Sequence, residues 1–284
     1  MLKVKEYEFW FVTGSQNLYG PETLEQVAKH SKEIVAGLNE NDFDYNIVFK
    51  PVVKTPDEIR QLCIDANSDP NCAGIITWMH TFSPAKMWIS GLTELRKSLL
   101  HLHTQYNRDI PWDKIDMDFM NLNQAAHGDR EYGFIGTRMK IGRKVVVGHW
   151  QDKKVINRIG SWVRTAVAYE ESKTLKIARF GDNMREVAVT EGDKVEAQIQ
   201  FGWSTSYFGI GDLVAKMNEF TNEDVEKLFE EYKEKYDIAE DENIDSIKYQ
   251  AKIELGLKLS LKRVDLRHLR QTLKIYTVWS NFQG

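Results

Sequence analysis

Short apolar runs alternate with stretches of helical length and periodicity up to about Ser172. The runs Tyr7–Val12, Tyr45–Val53, Ala73–Trp78, Leu99–His103 and Lys144–His149 are rich in Val, Ile, Phe and Trp. Several lack polar alternation, which predicts strands buried on both faces. Between them, Pro21–Asn39 carries Leu24, Val27, Ile34, Val35 and Leu38 on one stripe. Pro56–Ala66 follows Thr55, an N-cap residue with Pro and Asp-Glu in the first turn. Pro84–Leu100 begins after Ser83 in the same way, and Asp116–Arg138 and Asp152–Ser172 complete the helical series. Repeated strand–helix alternation predicts a parallel sheet with helices on both faces. The expected unit is one Rossmann-like (flavodoxin-like) α/β domain over residues 1–172.

A second α/β pattern follows over residues 173–257. Thr174–Phe180 and Trp203–Phe208 read as strands. Asp193–Phe201 reads as a helix closed by Gly202, and Asp212–Phe220, Thr221 to about Lys235, and Asp245–Leu257 as further helices. Two strands do not make a doubly wound sheet, so this domain reads as incomplete. The segment 258–284 changes character. The residues before it carry 32 Lys and Arg against 41 Asp and Glu, whereas the last 27 carry six basic residues and one acid, Asp265.

Composition narrows the function classes. The apolar fraction is 42% and the charged fraction 28%, as in an ordinary globular chain. No run approaches the ~20 apolar residues of a membrane helix, and Met1–Glu8 lacks the pattern of a signal peptide. Outside the tail the negative balance argues against a nucleic-acid partner. Cys63 and Cys72 are the only cysteines, expected as reduced thiols. A cytoplasmic location, with no membrane partner, is the expectation.

In open parallel sheets ligands bind beyond the carboxyl ends of the strands. Those ends carry Thr13 to Gly20, His80 to Pro84, Thr104 to Asn107, and His149-Trp150. Amides, hydroxyls and aromatic faces dominate, a lining suited to a polyhydroxylated ligand and poorly suited to a phosphate. Neither a dinucleotide fingerprint nor a Walker A lysine is present. A structural turn is the competing reading of the Gly14–Gly20 loop. His101 and His103 alternate on a strand without an acidic neighbour in sequence, which favours structural over metal-binding roles. His127 stands where polar residues and Gly128 interrupt a helical pattern. Arg179 to Glu186 gathers Asp182, Asn183, Arg185 and Glu186 at a strand end, readable equally as a solvated turn. No nucleophilic triad can be assembled.

The segments Phe11 to Gly20, Trp78 to Trp88, Asn121 to Glu131, Ala178 to Val195 and Ile253 to Lys258 resemble L-arabinose isomerases. The resemblance covers residues 1 to about 258. It implies two Rossmann-like domains and a C-terminal β-barrel domain, the last without a counterpart here. It also implies interconversion of L-arabinose and L-ribulose, with D-galactose to D-tagatose as a side activity, through an enediol assisted by a divalent metal, usually Mn²⁺. The family's metal-binding glutamates and histidines lie beyond the matching region, so no catalytic or metal residue carries over, and this chain is expected neither to bind Mn²⁺ nor to be active alone. What carries over is a substrate-binding set. Gln16, Leu18, Tyr19, Phe82, Gln124 and His127 are implied to reach a neighbour's pocket in a homo-hexamer, and Met184 to line its own. A non-catalytic sugar-binding or subunit-interaction module is the alternative.

The tail supports two readings. Leu261, Val264, Leu269 and Leu273 fall roughly on one face of a basic amphipathic helix. Alternatively, synonymous codons for Lys258–Gly284 permit a neighbouring frame that continues the family's sequence, which implies a single-base deletion near codon 258 or 259. Sequencing the gene tests this: inserting one base there is expected to restore a family-like frame, and failure to do so rules the deletion out.

Overall fold

The computed structural model describes residues 5–41, 43–181 and 183–263, which form two compact units divided between Glu170 and Glu171. The first unit holds five strands: β1 (Glu8–Gly14), β2 (Asn46–Phe49), β3 (Cys72–Met79), β4 (Ser98–His103) and β5 (Lys144–Val147). Its helices are α1 (Gly20–Asn39), α2 (Pro56–Ser68), α3 (Ile89–Glu94), α4 (Met117–Leu122), α5 (Ala125–Arg138) and α6 (Lys153–Ser172), the last running into the boundary. All pairings are parallel, in the order β2-β1-β3-β4-β5. That is the flavodoxin-like winding, in which the strand order reverses between β1 and β3.

The strand side chains explain the two-faced cover. Phe9 and Phe11 of β1 pack with Ile34 and Leu38 of α1 and with Ile159, Trp162 and Val163 of α6. Trp10 and Val12, pointing the other way along the same strand, pack with Ile59 of α2, Leu92 of α3 and Tyr132 of α5. Every residue of β3 is buried, as its unbroken apolar run predicts for a central strand. Cys63 and Cys72 are free and buried, and burial pushes both thiols up to about 12.

Helix ends follow local chemistry where caps exist. The Thr55 hydroxyl accepts from Glu58 N at 3.2 Å and Pro56 opens α2, an arrangement worth about 1 kcal/mol. Two expected helices are broken. Pro84–Leu100 becomes a 3₁₀ turn at Ala85–Trp88 followed by the six residues of α3, because Ser98 onward is needed as β4 beside β3. Asp116–Arg138 divides into α4 and α5 at Asn123-Gln124, where Gln124 N donates to His80 O at 2.8 Å instead of to its own helix.

The second unit, described by itself, contains β6 (Lys176–Phe180), α7 (Lys194–Phe201), β7 (Ser204–Phe208), α8 (Ile210–Met217), α9 (Asn222–Lys235) and α10 (Ile244–Arg263). β6 and β7 form a two-stranded parallel sheet. Val225 and Leu228 of α9 pack on Ala251 of α10 with Tyr232 and Leu255. Thr221 and Asp224 cap α9 reciprocally. Helix α10 does not stop at Leu257 but continues through Lys258 to Arg263; the tail positions Val264, Leu269 and Leu273 lie outside the described residues. Among the described residues no helix is long and apolar enough to cross a membrane.

Gly202 ends α7 in the left-handed region at φ 79°, and a Cβ there would stand 2.2 Å from the Lys173 carbonyl oxygen. Gly202→Ala is therefore expected to destabilise the second unit by at least about 1–2 kcal/mol, read as a lowered denaturation midpoint. Gly192→Ala, at φ 47° with open space around it, separates the backbone cost from the clash and should cost less.

Candidate functional site

Parallel pairing of β1 with β3 runs to Thr13↔Trp78 and Gly14↔Met79, so both strands end at the same level. The loops that follow, Ser15–Tyr19 and His80–Ser83, leave side by side. Gly14 permits this proximity: a Cβ on it would lie 2.7 Å from both Ser83 Oγ and a ring carbon of Trp88. The loops are then bonded to each other. The Ser15 and Thr81 hydroxyls meet at 2.7 Å, both buried. Gln16 Nε2 donates to Phe82 O at 3.0 Å, and the Tyr19 hydroxyl accepts from Phe82 N at 3.2 Å.

The third contributor is α5. Gln124, its first flanking residue, is anchored on the His80 carbonyl, and its O accepts from His127 N at 3.0 Å in the first turn. Lower on the helix, Glu131 Oε2 accepts from Ala85 N at 2.9 Å, tying α5 to the far side of the His80–Ser83 loop. The structure thus brings Gln16, Tyr19, Phe82 and Gln124 together at half-buried positions, with His127 exposed beside them. Leu18 belongs to the same loop but makes no such bond and is 84% exposed. Met184 belongs to the second unit, where Met184 N donates to Thr190 Oγ1 at 3.2 Å and the side chain is 47% exposed. In that loop Asn183 accepts from Arg179 and donates to Glu191 Oε2 at 2.7 Å; Asp182 lies outside the described residues.

Beneath the loops is a buried polar layer. His30 Nδ1 and His80 Nε2 meet at 2.7 Å, and Gln26 Nε2 lies 2.8 Å from His30 Nε2. The His30 ring stacks on Tyr106 at 3.6 Å and 6°, the His80 ring on Trp78 at 4.4 Å and 15°. The Tyr106 hydroxyl donates to Glu33. Burial lowers His30 to about 4, with Glu33 raising and Lys29 lowering it further, and lowers His80 to about 3, with His30 adding to the effect.

His101 and His103 do have an acidic partner, contrary to the sequence expectation. Asp129, 28 positions away on α5, places Oδ1 at 2.7 Å from His101 Nε2 and Oδ2 at 3.8 Å from His103 Nε2. Burial moves His101 down to about 3 and raises Asp129 well above the carboxylate range. Both are driven to their neutral forms, so one proton shared across the contact satisfies both. This pair holds α5 on the sheet. Among the described residues no three of His, Cys, Asp or Glu converge to hold a metal ion. The described residues therefore offer no donor set that fits Mn²⁺. What the loop cluster can do is offer amide, hydroxyl and imidazole groups to a neutral polar ligand beside the apolar surfaces of Leu18 and Phe82.

Residues 3–174 match the L-arabinose isomerase N-terminal domain, and residues 176–276 the L-arabinose isomerase central domain. The second match runs past Lys258, where the sequence reading ended the resemblance. The chain is 64% identical over 268 residues to an L-arabinose isomerase of Geobacillus thermodenitrificans (strain NG80-2), covering 92% of this chain and 54% of the relative. It is 63% identical over 261 residues to that of Clostridium beijerinckii (strain ATCC 51743 / NCIMB 8052), covering 92% and 53%. With the enzyme of Shouchella clausii (strain KSM-K16) it shares 60% over 274 residues, covering 96% and 56%. The chain spans about half the length of the curated relatives it matches.

His30 and His80 are held far below the ordinary imidazole value of about 6.5. The unfolded chain therefore binds more protons than the folded one between pH ~6.5 and ~4. The contribution of His30 and His80 to the stability of the first unit is expected to be full above that window and to fall as pH drops through it, by up to about 1.4 kcal/mol per pH unit for each histidine, while the raised Asp129 acts in the opposite sense. Urea midpoints at pH 7.5 and pH 5 check this, and a midpoint insensitive to that change refutes it.

Proposed function

The chain belongs to the L-arabinose isomerase family, and on that premise we propose that its first unit supplies the sugar-facing rim of an aldose–ketose isomerase converting L-arabinose to L-ribulose. The observation that carries the reading is the hydrogen-bonded convergence of Gln16, Tyr19, Phe82 and Gln124 at the carboxyl edge of β1 and β3. An aldopentose presents several hydroxyls and no charge, and this rim presents amides, a phenol and an imidazole with the same balance. Phe82 and Leu18 add apolar surface for the carbon face of the sugar in a neighbour's pocket, whereas Met184 is assigned to the pocket of its own chain, as the resemblance implies. D-Galactose shares the configuration of L-arabinose at C2 to C4, so its conversion to D-tagatose fits the same rim as a side reaction.

In this reading the chain's own residues bind and orient the sugar. The Gln16 side chain is held on the Phe82 carbonyl and the Gln124 main chain on the His80 carbonyl, so both residues are placed before the sugar binds. The Mn²⁺ that the resemblance implies would supply charge stabilisation for the enediol. The exposure of Leu18 favours a role against a second copy of the chain, which supports assembly into a homo-hexamer with each rim facing a neighbour's pocket. A non-catalytic sugar-binding or subunit-contact module shares these features. The chain by itself is expected to be inactive under either reading, and ketose formation from L-arabinose with added Mn²⁺ would overturn that expectation. A cytoplasmic location belongs to the same proposal.

Calorimetric titration of the chain with L-arabitol, which cannot be isomerised, tests the rim. Gln16→Ala and Gln124→Ala are each expected to weaken binding by about 3–10-fold, as for loss of one neutral hydrogen bond. Binding unchanged in both variants, or absent in the parent chain, overturns the assignment.

A further inference from the structure

Gln16, Tyr19, Phe82, Gln124 and His127 come from three separate parts of the first unit, and one residue lies where their supports meet. His80 directly follows β3 and is fully buried. Its carbonyl accepts from Gln124 N, which starts α5 and so locates His127. Thr81, next in the chain, is bonded to Ser15, and Phe82 after it is bonded to Gln16 and Tyr19. A small shift of His80 would move all three attachments at once. Its own position is set by two contacts: the stack of its ring on Trp78 and the bond from its Nε2 to His30.

We propose that the buried His30–His80 pair is a positioning device for the sugar-facing loops, holding the His80 main chain where Phe82, Gln124 and His127 acquire their places. The proposal rests on the sugar-rim reading for its ligand, but its geometry stands without it. The direction of each bond follows from Gln26. With the amide nitrogen of Gln26 donating to His30 Nε2, the His30 proton sits on Nδ1 and is donated to His80 Nε2. His80 then carries its own proton on Nδ1, an atom that finds no hydrogen-bond partner.

Two apolar side chains would fill this space without leaving a buried donor unsatisfied, so packing alone does not account for the pair. What the imidazoles provide is a directional bond of fixed polarity between α1 and the end of β3. His30 is braced from the other side by its stack on Tyr106, whose hydroxyl is bonded to Glu33 one turn along α1. Burial keeps both rings neutral, outweighing the pull of Glu33 on His30, where Lys29 acts in the same direction as burial, and reinforced at His80 by His30; this preserves a donor on one ring and an acceptor on the other.

The full chain labelled with ¹⁵N-histidine tests this by long-range proton–nitrogen correlation at pH 7. Both rings are expected as neutral Nδ1–H tautomers; an Nε2–H tautomer on either ring overturns the proposal, whatever the variants do. His30→Leu removes the donor, whereas His30→Asn keeps an amide donor near the Nδ1 position. His30→Leu is expected to speed hydrogen exchange of the Gln124 and Phe82 amides by about tenfold or more and to weaken L-arabitol binding by a similar factor. His30→Asn should restore most of both. Unchanged Gln124 and Phe82 exchange in a folded His30→Leu chain, or equal defects in the Asn and Leu variants, overturns the positioning role. Expected tautomers and exchange without any L-arabitol binding by the parent chain would instead sink the sugar-rim reading and leave the positioning role standing.

Discussion

The adjacency of β1 and β3, held in register to their last residues, is the constraint from which the site follows. Strand order reverses between these two strands, so the chain leaving one and the chain leaving the other diverge to opposite faces of the sheet and open a crevice. Here the crevice is narrow because Gly14 has no side chain where Ser83 and Trp88 approach. Such closeness lets two short loops share hydrogen bonds that neither could make alone. Ser15 finds Thr81, and Gln16 and Tyr19 find the main chain of Phe82.

The layer below is unusually polar for the interior of an α/β sheet. His30, His80, His101, Asp129, Thr13, Ser31 and Thr81 are all buried, and each desolvated group would weigh against folding were it unpaired. Each is paired through at least one atom, and the pairs are between elements, while His80 Nδ1, His101 Nδ1 and Asp129 Oδ2 have no hydrogen-bond partner. Thr13 joins Ser31 of α1, His80 joins His30 of α1, and His101 joins Asp129 of α5. Apolar contacts on both faces supply the bulk of the stabilisation. The polar pairs add direction, fixing which way α1 and α5 present their ends to the loops.

Much of the fold was legible along the chain, for a specific reason. Strands buried on both faces leave unbroken apolar runs, and β1 and β3 were recognisable by that alone. The caps at Thr55 and Thr221 and the stop at Gly202 act within a few residues, so local sequence carries their signal. The misjudged elements are those where distant demands overruled local preference. Pro84–Leu100 has helical composition, yet β3 needs a neighbour from Ser98 onward. The helix expected over Asp116–Arg138 breaks because the His80 carbonyl takes the Gln124 N–H. Helix α10 runs through the change of composition at Lys258, since a helix's continuity depends on its own backbone bonds and not on net charge.

The sequence by itself determined the parallel α/β architecture, the polar and uncharged character of the strand-end loops, and the resemblance from which the site residues were drawn. These are properties of neighbours along the chain. Tertiary structure alone decided which loops touch: Ser15 and Thr81 are 66 positions apart, His30 and His80 are 50, and His101 and Asp129 are 28. No periodicity links such residues, and the histidines looked unpartnered until the winding of the sheet brought α1 and α5 against its carboxyl edge. The order of strands, set by burial of apolar faces on both sides, is what turned scattered polar residues into a connected layer.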